Sequence, residues 1–327
     1  MKAVQIEEFG GPEVLKTAEI PTPKAREDEV LIELRTSGVN RSDILARSGS
    51  YHAAGQPPMV PGGEGSGIVR EAGPAATGIS SGDRVLAFGG RPGFYAEYVA
   101  VPTRHVVKIP DTLDWNSAAA LPVAPLSAWY CLQRLARLRS GEKVLIWAAA
   151  SGVGDAAVQI AKHLGATVIA TAGTDEKVAW ALENGADEGI NHARENVLKR
   201  TRAIAGEEGV EVVLDTVGGS IFGESLKVVG HGGRVVALAN VALEESRIDT
   251  RDFYPKNATI YGFQITNLIQ RLGYGPRDDL GELADLVVRN KLEIHVDRTF
   301  PLGRAADAHR YLEERRNRGK VIIHPGD

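Results

Sequence analysis

Between residues 143 and 263 short apolar runs alternate with helical stretches, and this alternation constrains the fold more than any other feature of the chain. The runs fall at 143–149, 167–172, 210–215, 234–239 and 259–263, with helical sequence reaching about 163, 183 and 229 between them. Parallel strands buried on both faces need apolar runs of this kind, and each crossover between them needs a dozen or more residues, usually a helix. The expectation is an α/β fold containing a doubly wound parallel sheet. Residues 1–112 have a different texture: β-type runs at 14–20, 30–37, 67–71, 84–88, 95–101 and 105–109, punctuated by Gly and Pro, with little helix. At Asp111-Thr112-Leu113-Asp114 capping residues lead into Ala-rich helical sequence that continues to about 138, which places a boundary near 112. Beyond 264 the helical patterns 280–290 and 305–315 and the extended runs 296–300 and 321–324 no longer alternate in the same way. Three segments result: 1–112, a nucleotide-type domain over 113–264, and 265–327 returning to the first domain. With 327 residues, two domains can each bury a core.

Composition removes several classes of function. The net charge of −4 leaves no basic excess to meet a phosphate backbone, so nucleic acid is not an expected main partner. The longest apolar stretch, 118–132, is broken by Pro122, Pro125 and Ser127 and is shorter than the roughly 20 residues of a spanning helix. No signal-peptide apolar region follows Met1-Lys2, and the single cysteine, Cys131, permits no intramolecular disulfide. Cytoplasmic location without a membrane partner is the expectation.

The turn after the first run of the α/β region reads Ala148-Ala149-Ala150-Ser151-Gly152-Val153-Gly154-Asp155 and opens an amphipathic helix. Small residues there let the backbone approach a pyrophosphate, whose charge is met by amides and the positive end of the helix. The glycine pattern of dinucleotide sites is broken, with Ala149 and Ser151 at the first two glycine positions and Gly154 at the third. An ordinary tight turn uses the same residues. The second run carries further information. An NAD-binding chain usually ends this strand with an acid for the ribose 2′-hydroxyl, whereas here it runs into Ala172-Gly173-Thr174, with no acid until Asp175. Lys177 stands in the first turn of the next helix, where a cation opposes the macrodipole by roughly 0.3–1 kcal/mol unless an anion lies near. A 2′-phosphate is such an anion; Asp175 and Glu176 neutralising a surface lysine is the other reading.

The chain resembles the zinc-independent quinone oxidoreductase branch of the medium-chain dehydrogenase/reductase superfamily. The residues that carry the likeness are Phe9-Gly10-Gly11-Pro12-Glu13-Val14-Leu15, Gly38-Val39-Asn40-Arg41-Ser42-Asp43, Arg47-Ser48-Gly49-Ser50-Tyr51, Pro61-Gly62-Gly63-Glu64-Gly65-Ser66-Gly67, Gly82-Asp83-Arg84-Val85, the turn 149–154, and Gly185-Ala186-Asp187. The resemblance implies a GroES-like β-rich catalytic domain joined to a Rossmann nucleotide-binding domain, with NADPH as cofactor. It implies cofactor contacts at Asn40, Ser127, Ser151, Gly152, Val153, Gly173, Thr174, Lys177, Val217, Asn240, Phe263 and Ile265, with His192 where relatives often carry a tyrosine. Asn40 and Tyr51 match residues at the nicotinamide end, and a homodimer joined through 259–263 is implied. The residues alone also permit a turn cap at Asn40, a core aromatic at Tyr51 and plain packing at Phe263.

Zinc members of the superfamily carry Cys where this chain has Asn40 and His where it has Gly63; the third-ligand stretch 121–127 contains no Cys, His, Asp or Glu, and the cysteine-rich lobe is replaced by Gly89-Gly90-Arg91-Pro92-Gly93. Zinc needs several N, S or O ligands, so no metal is expected. Without a Lewis acid, removing hydride from an alcohol is disfavoured, while hydride delivery to a quinone or enone spreads charge over a conjugated system that a few donors hold. The expected activity is NADPH-dependent reduction of a quinone or other conjugated carbonyl, with Asn40 and Tyr51 as donors. The alternatives are an enoyl-thioester, alkenal or enone double-bond reductase on the same frame, set apart by the pocket stretches 50–59 and 263–274, and a non-enzymatic NADPH-binding protein.

Overall fold

The computed structural model describes residues 1–51, 55–89 and 92–327; residues 52–54, within the pocket stretch 50–59, and 90–91, within the replaced lobe, lie outside the description. The chain divides into two compact units, Met1–Leu126 with Ile265–Asp327, and Ser127–Gln264. The first unit opens with β1 (Lys2–Gln5) and β2 (Lys16–Glu19), paired antiparallel. β3 (Glu29–Val39) runs into helix α1 (Arg41–Arg47), and β4 (Glu64–Ala72), β5 (Arg84–Phe88), β6 (Tyr98–Pro102), β7 (Val106–Lys108) and helix α2 (Trp115–Ala120) follow. The short helix α3 (Ala124–Trp129) spans the division between the units.

The second unit contains β8 (Lys143–Ile146), α4 (Gly152–His163), β9 (Thr167–Ala172), α5 (Asp175–Glu183), β10 (Glu188–Asn191), α6 (Val197–Ala205), β11 (Val210–Asp215), α7 (Ser220–Val228), β12 (Val229–Ala237) and β13 (Thr259–Gly262). The chain then returns to the first unit with α8 (Ile265–Leu272), α9 (Arg277–Val288), β14 (Val296–Pro301), α10 (Ala305–Glu313) and β15 (Lys320–His324).

The first unit's main sheet has the order β14-β15-β3-β4-β5-β7, with β6 also paired to β3. Alternation in β3 sends Val30, Ile32 and Leu34 into one cluster with Val69, Val85 and Val101, and all six are buried. Burying a side chain of this size contributes about 1.5–3 kcal/mol. Residues 113–126, placed with the nucleotide domain on sequence texture, belong to this unit. Ala119 and Ala120 of α2 pack on Ile322 of β15, and the Thr36 and Ser66 hydroxyls converge on the Trp115 carbonyl, each at 2.7 Å. The Ala-rich composition thus serves close packing of a helix on a β-sheet rather than the start of an α/β unit.

The second unit is a six-stranded parallel sheet of order β10-β9-β8-β11-β12-β13. Numbered from β8 this is 3-2-1-4-5-6, the doubly wound order, and ligands of such sheets bind beyond the carboxyl ends of the strands where the winding reverses. The reversal lies between β8 and β11, and its core is Leu145, Ile169, Val213 and Val235, all fully buried. The strand β10 and helix α6 have no counterpart in the sequence reading. Among the described residues no helix is long and apolar enough to cross a membrane.

Candidate cofactor and active site

In the second unit the expected residues other than Ser127 all follow the carboxyl ends of the six strands. Ser151, Gly152 and Val153 lie beyond β8; Gly173, Thr174 and Lys177 beyond β9; His192 beyond β10; Val217 beyond β11; Asn240 beyond β12; and Phe263 directly after β13. Ser127 lies buried within α3.

The turn after β8 is closed by Ala148 at φ +50° and by Ser151, whose hydroxyl accepts from the Gly154 amide at 3.1 Å. A Cβ on Gly154 would stand 2.2 Å from the Ala148 carbonyl oxygen and 2.7 Å from the Ala149 Cα, so only glycine lets α4 start this close to the strand. Since the first turn of a helix supplies no acceptor for its own amides, the N–H groups of Gly152 and Val153 remain for an anion at this terminus. This is a cradle that fits a pyrophosphate.

At the end of β9, Thr174 caps α5 by accepting from the Lys177 amide at 3.2 Å. A Cβ on Gly173 would meet the His192 imidazole at 3.5 Å, which places that ring beside the Gly173 backbone. The ring is also tilted against Trp147, with centroids 5.9 Å apart. Asp175, the first acid past the strand, is already engaged: Oδ1 accepts from Asn191 Nδ2 at 2.5 Å and Oδ2 pairs with Arg194. These partners hold its carboxyl below the usual range. Lys177 is half-buried beside this exposed group.

At the winding reversal, the buried Asp215 carboxylate accepts from the amides of Val217 and Gly218, both at 2.9 Å, and from Ser225 Oγ at 3.0 Å, fixing the loop that carries Val217. The Thr216 hydroxyl donates to the Trp147 carbonyl at 2.8 Å, tying the β8 and β11 loops together. Asn240 is exposed and donates to the Glu244 carbonyl at 2.8 Å. The Phe263 ring stacks on Tyr130, with centroids 5.5 Å apart, in a π-helical turn, Tyr130–Leu135.

In the first unit, Asn40 follows β3 and begins α1. Its backbone N–H donates to Asp43 at 2.8 Å and its side chain contacts Glu64, named in the sequence only within a family motif, and Lys320; neither is among the expected site residues. Behind it Asp43 also accepts from the Tyr95 hydroxyl at 3.2 Å, and Tyr95 meets His309 Nε2 at 3.0 Å. His309 Nδ1 faces the Arg47 guanidinium at 3.2 Å, and Arg47 pairs with Glu313 at 2.5 Å. A guanidinium only donates, so Nδ1 accepts, and the neutral imidazole carries its proton on Nε2. Burial, with Arg47 and Arg41 beside it, lowers His309 to about 3, while burial lifts Asp43 to about 7. Tyr51 is half-buried beyond α1, and Ile265 is buried at the start of α8. Among the described residues no group of three or more His, Cys, Asp or Glu stands where it could hold a metal ion.

Residues 26–111 match the family model described as alcohol dehydrogenase GroES-like domain, and residues 152–288 the model described as zinc-binding dehydrogenase. The human protein named quinone oxidoreductase is 35% identical over 263 residues, covering 80% of this chain and 79% of that one. Among solved structures, Escherichia coli quinone oxidoreductase complexed with NADPH aligns at a TM-score of 0.92 and 29% identity, over 99% of this chain and 100% of that one. A structure described as NAD-dependent alcohol dehydrogenase aligns at 0.89 and 32% identity over 99% of both. With both domain models in place and a named relative of this identity and coverage, the chain belongs to the oxidoreductases of the quinone oxidoreductase branch of the medium-chain dehydrogenase/reductase superfamily.

Proposed function

We propose that the protein is an NADPH-dependent, zinc-independent oxidoreductase that transfers hydride to a quinone or another conjugated carbonyl. Two observations carry this reading: a nucleotide edge furnished at every strand end of the second unit, and metal-ligand positions in the first unit filled by Asn40 and Gly63. Gly152 and Val153 amides, with Ser151 shaping the turn, hold the pyrophosphate. Gly173, Thr174, Lys177 and His192 hold the 2′-phosphate, because Ala172 offers no carboxylate to a 2′-hydroxyl and both Asp175 oxygens are engaged by Asn191 and Arg194. Ser127, Val217, Asn240, Phe263 and Ile265 line the remainder. NADPH, when bound, supplies the hydride. Asn40 and Tyr51 offer hydrogen bonds to the oxygen on which charge develops, and positioning at about 3–3.5 Å provides much of the rate.

An NAD-dependent alcohol dehydrogenase is the second reading, favoured by the structural likeness at a TM-score of 0.89. A steady-state panel separates the two. Reduction of a 1,4- or 1,2-quinone, or of an enone, with NADPH is expected to be faster than oxidation of any simple alcohol with NADP⁺. Robust metal-free alcohol oxidation with no quinone or enone turnover would overturn the proposal.

A further inference from the structure

We propose that Lys320 is a positioning residue whose ammonium, buried with Glu64, locks the Asn40 carboxamide so that one Nδ2–H is directed to the acceptor carbonyl; this rests on the reading of Asn40 as a donor. The arrangement comes from sheet register. Val39 pairs with Val321 and Ser37 with Gly65, which brings the residue after β3 beside the first residues of β15 and β4. Asn40 is 8% exposed, Glu64 0% and Lys320 5%. Lys320 Nζ donates to Asn40 Oδ1 at 2.7 Å and to Glu64 Oε1 at 2.6 Å, and Asn40 Nδ2 donates to Glu64 Oε1 at 2.7 Å.

Chemistry fixes which end of the amide faces which partner. An ammonium only donates and a carboxylate only accepts, so the Asn40 atom facing Lys320 is the oxygen and the one facing Glu64 is the nitrogen. One of the two Nδ2 hydrogens is used by Glu64, leaving the other as a donor of fixed direction. The cation on Oδ1 also polarises the amide and strengthens that donor. Glu64 is itself held, since Oε2 accepts from the Val123 amide at 2.6 Å. A Cβ on Gly38 would stand 2.2 Å from Glu64 Oε1, so the strand leaves room for this carboxylate only by carrying glycine there. Burying an ion pair in a sheet seldom adds stability over apolar packing, and here Lys320 Nζ spends its bonds on Asn40 Oδ1, the Val39 carbonyl and Glu64, while Glu64 Oε1 takes the Asn40 amide and Oε2 the Val123 amide.

The test joins kinetics to an observation independent of turnover. In Lys320→Met the kcat for 1,4-benzoquinone reduction is expected to fall about ten- to a hundred-fold, the loss of one oriented transition-state hydrogen bond, with the NADPH Kd changing far less than kcat. In an Asn40→Ala background the same substitution should produce no further loss. Removing one ion of a buried pair can unfold a protein, so Glu64→Gln with Lys320→Met supplies a neutral pair, expected to recover Tm but not kcat. The assigned side-chain ¹⁵N–¹H pair of Asn40 should be slow to exchange with water in the wild type and fast in both Lys320 variants. Wild-type kcat in a folded Lys320→Met chain, multiplicative losses with Asn40→Ala, or recovered activity in the neutral pair would overturn the proposal. A protected Asn40 amide in a wild type that reduces no quinone or enone would refute the functional reading alone.

Discussion

Asp43 and His309 are shifted in opposite senses, and replacing Asp43 by Asn should uncover the opposition. Burial lifts the Asp43 carboxyl from an ordinary 3.8 to about 7, so in that window the folded chain keeps a proton that the unfolded chain has released. Stability therefore falls as pH rises through the window. At about 1.4 kcal/mol per pH unit the full effect is of order 4 kcal/mol, and roughly 3 kcal/mol of it lies between pH 4.5 and 7.5. His309 works in the opposite sense: its value is lowered from 6.5 to about 3, so its contribution is complete above 6.5 and is lost as pH falls below it. Between about pH 4 and 6.5 the two slopes oppose, and the wild type should be nearly flat as far as these groups are concerned. Asp43→Asn keeps an acceptor for the Asn40 amide and the Tyr95 hydroxyl but has no proton to release. Its unfolding free energy, measured by urea titration with far-ultraviolet circular dichroism, should gain roughly 3 kcal/mol on the wild type between pH 4.5 and 7.5. A difference between the two chains that stays constant to within about 0.5 kcal/mol across that range would show that Asp43 titrates as an ordinary carboxyl.

Three further outcomes are expected. Lys177→Ala should raise the KM for NADPH ten-fold or more while changing that for NADH little, since a charge-assisted phosphate contact contributes roughly 1.5–3 kcal/mol; equal losses with both cofactors would remove the phosphate role. Quinone reduction should survive dialysis against a chelator, and elemental analysis showing about one zinc per chain would contradict the zinc-independent reading. Among the described residues strand β13 pairs with β12 alone, and Ile260 on it is 36% exposed, so pairing with a second copy would cover an open edge. Light scattering at micromolar concentration should then give twice the 35.0 kDa of one chain, and a monomeric mass would count against it.

The parallel sheet was legible because its strands are apolar runs of the right length: β9 at 167–172 and β11 at 210–215 coincide with the runs seen in the sequence. β10 was not, since Glu188-Gly189-Ile190-Asn191 carries a single large apolar residue and sits at the sheet margin. β12 begins at Val229, five residues before its apolar run, because Gly230, Gly232 and Gly233 hide strand character; Gly230 and Gly233 also allow close approach to the backbone at 208–211. The turn at 148–155 and the strand end at 172–177 carry local turn chemistry that the sequence shows, whereas Val217, Asn240 and Phe263 enter the expectation through the family resemblance alone. The Glu64 and Lys320 contacts of Asn40 could not be placed by motif, being 24 and 280 residues away in sequence. A trace of them exists in the chain, in a lysine opening the apolar run Val321-Ile322-Ile323 and a glutamate among glycines at 62–67, but pairing the two requires the register of three strands. The chain Asp43–Tyr95–His309–Arg47 was hidden for the same reason; His309 reads from sequence only as a residue on a helix face.

The second unit interrupts the first, and this gives the molecule a timetable. β3 is among the earliest strands to be made, yet its partner β15 is the last, and the ammonium that holds Asn40 follows it by 280 residues. At roughly 5–20 residues per second, a ribosome delivers Lys320 about 15 to 60 seconds after Asn40. Throughout that interval the edge of β3 that β15 will cover stands open and Glu64 has no cation beside it. The parallel sheet, contiguous in sequence, has all its strands by residue 262 and can be folded before the first unit has received its final strand. A chain ending before residue 320 would then hold every strand of the parallel sheet while lacking β15 and the ammonium that contacts Asn40.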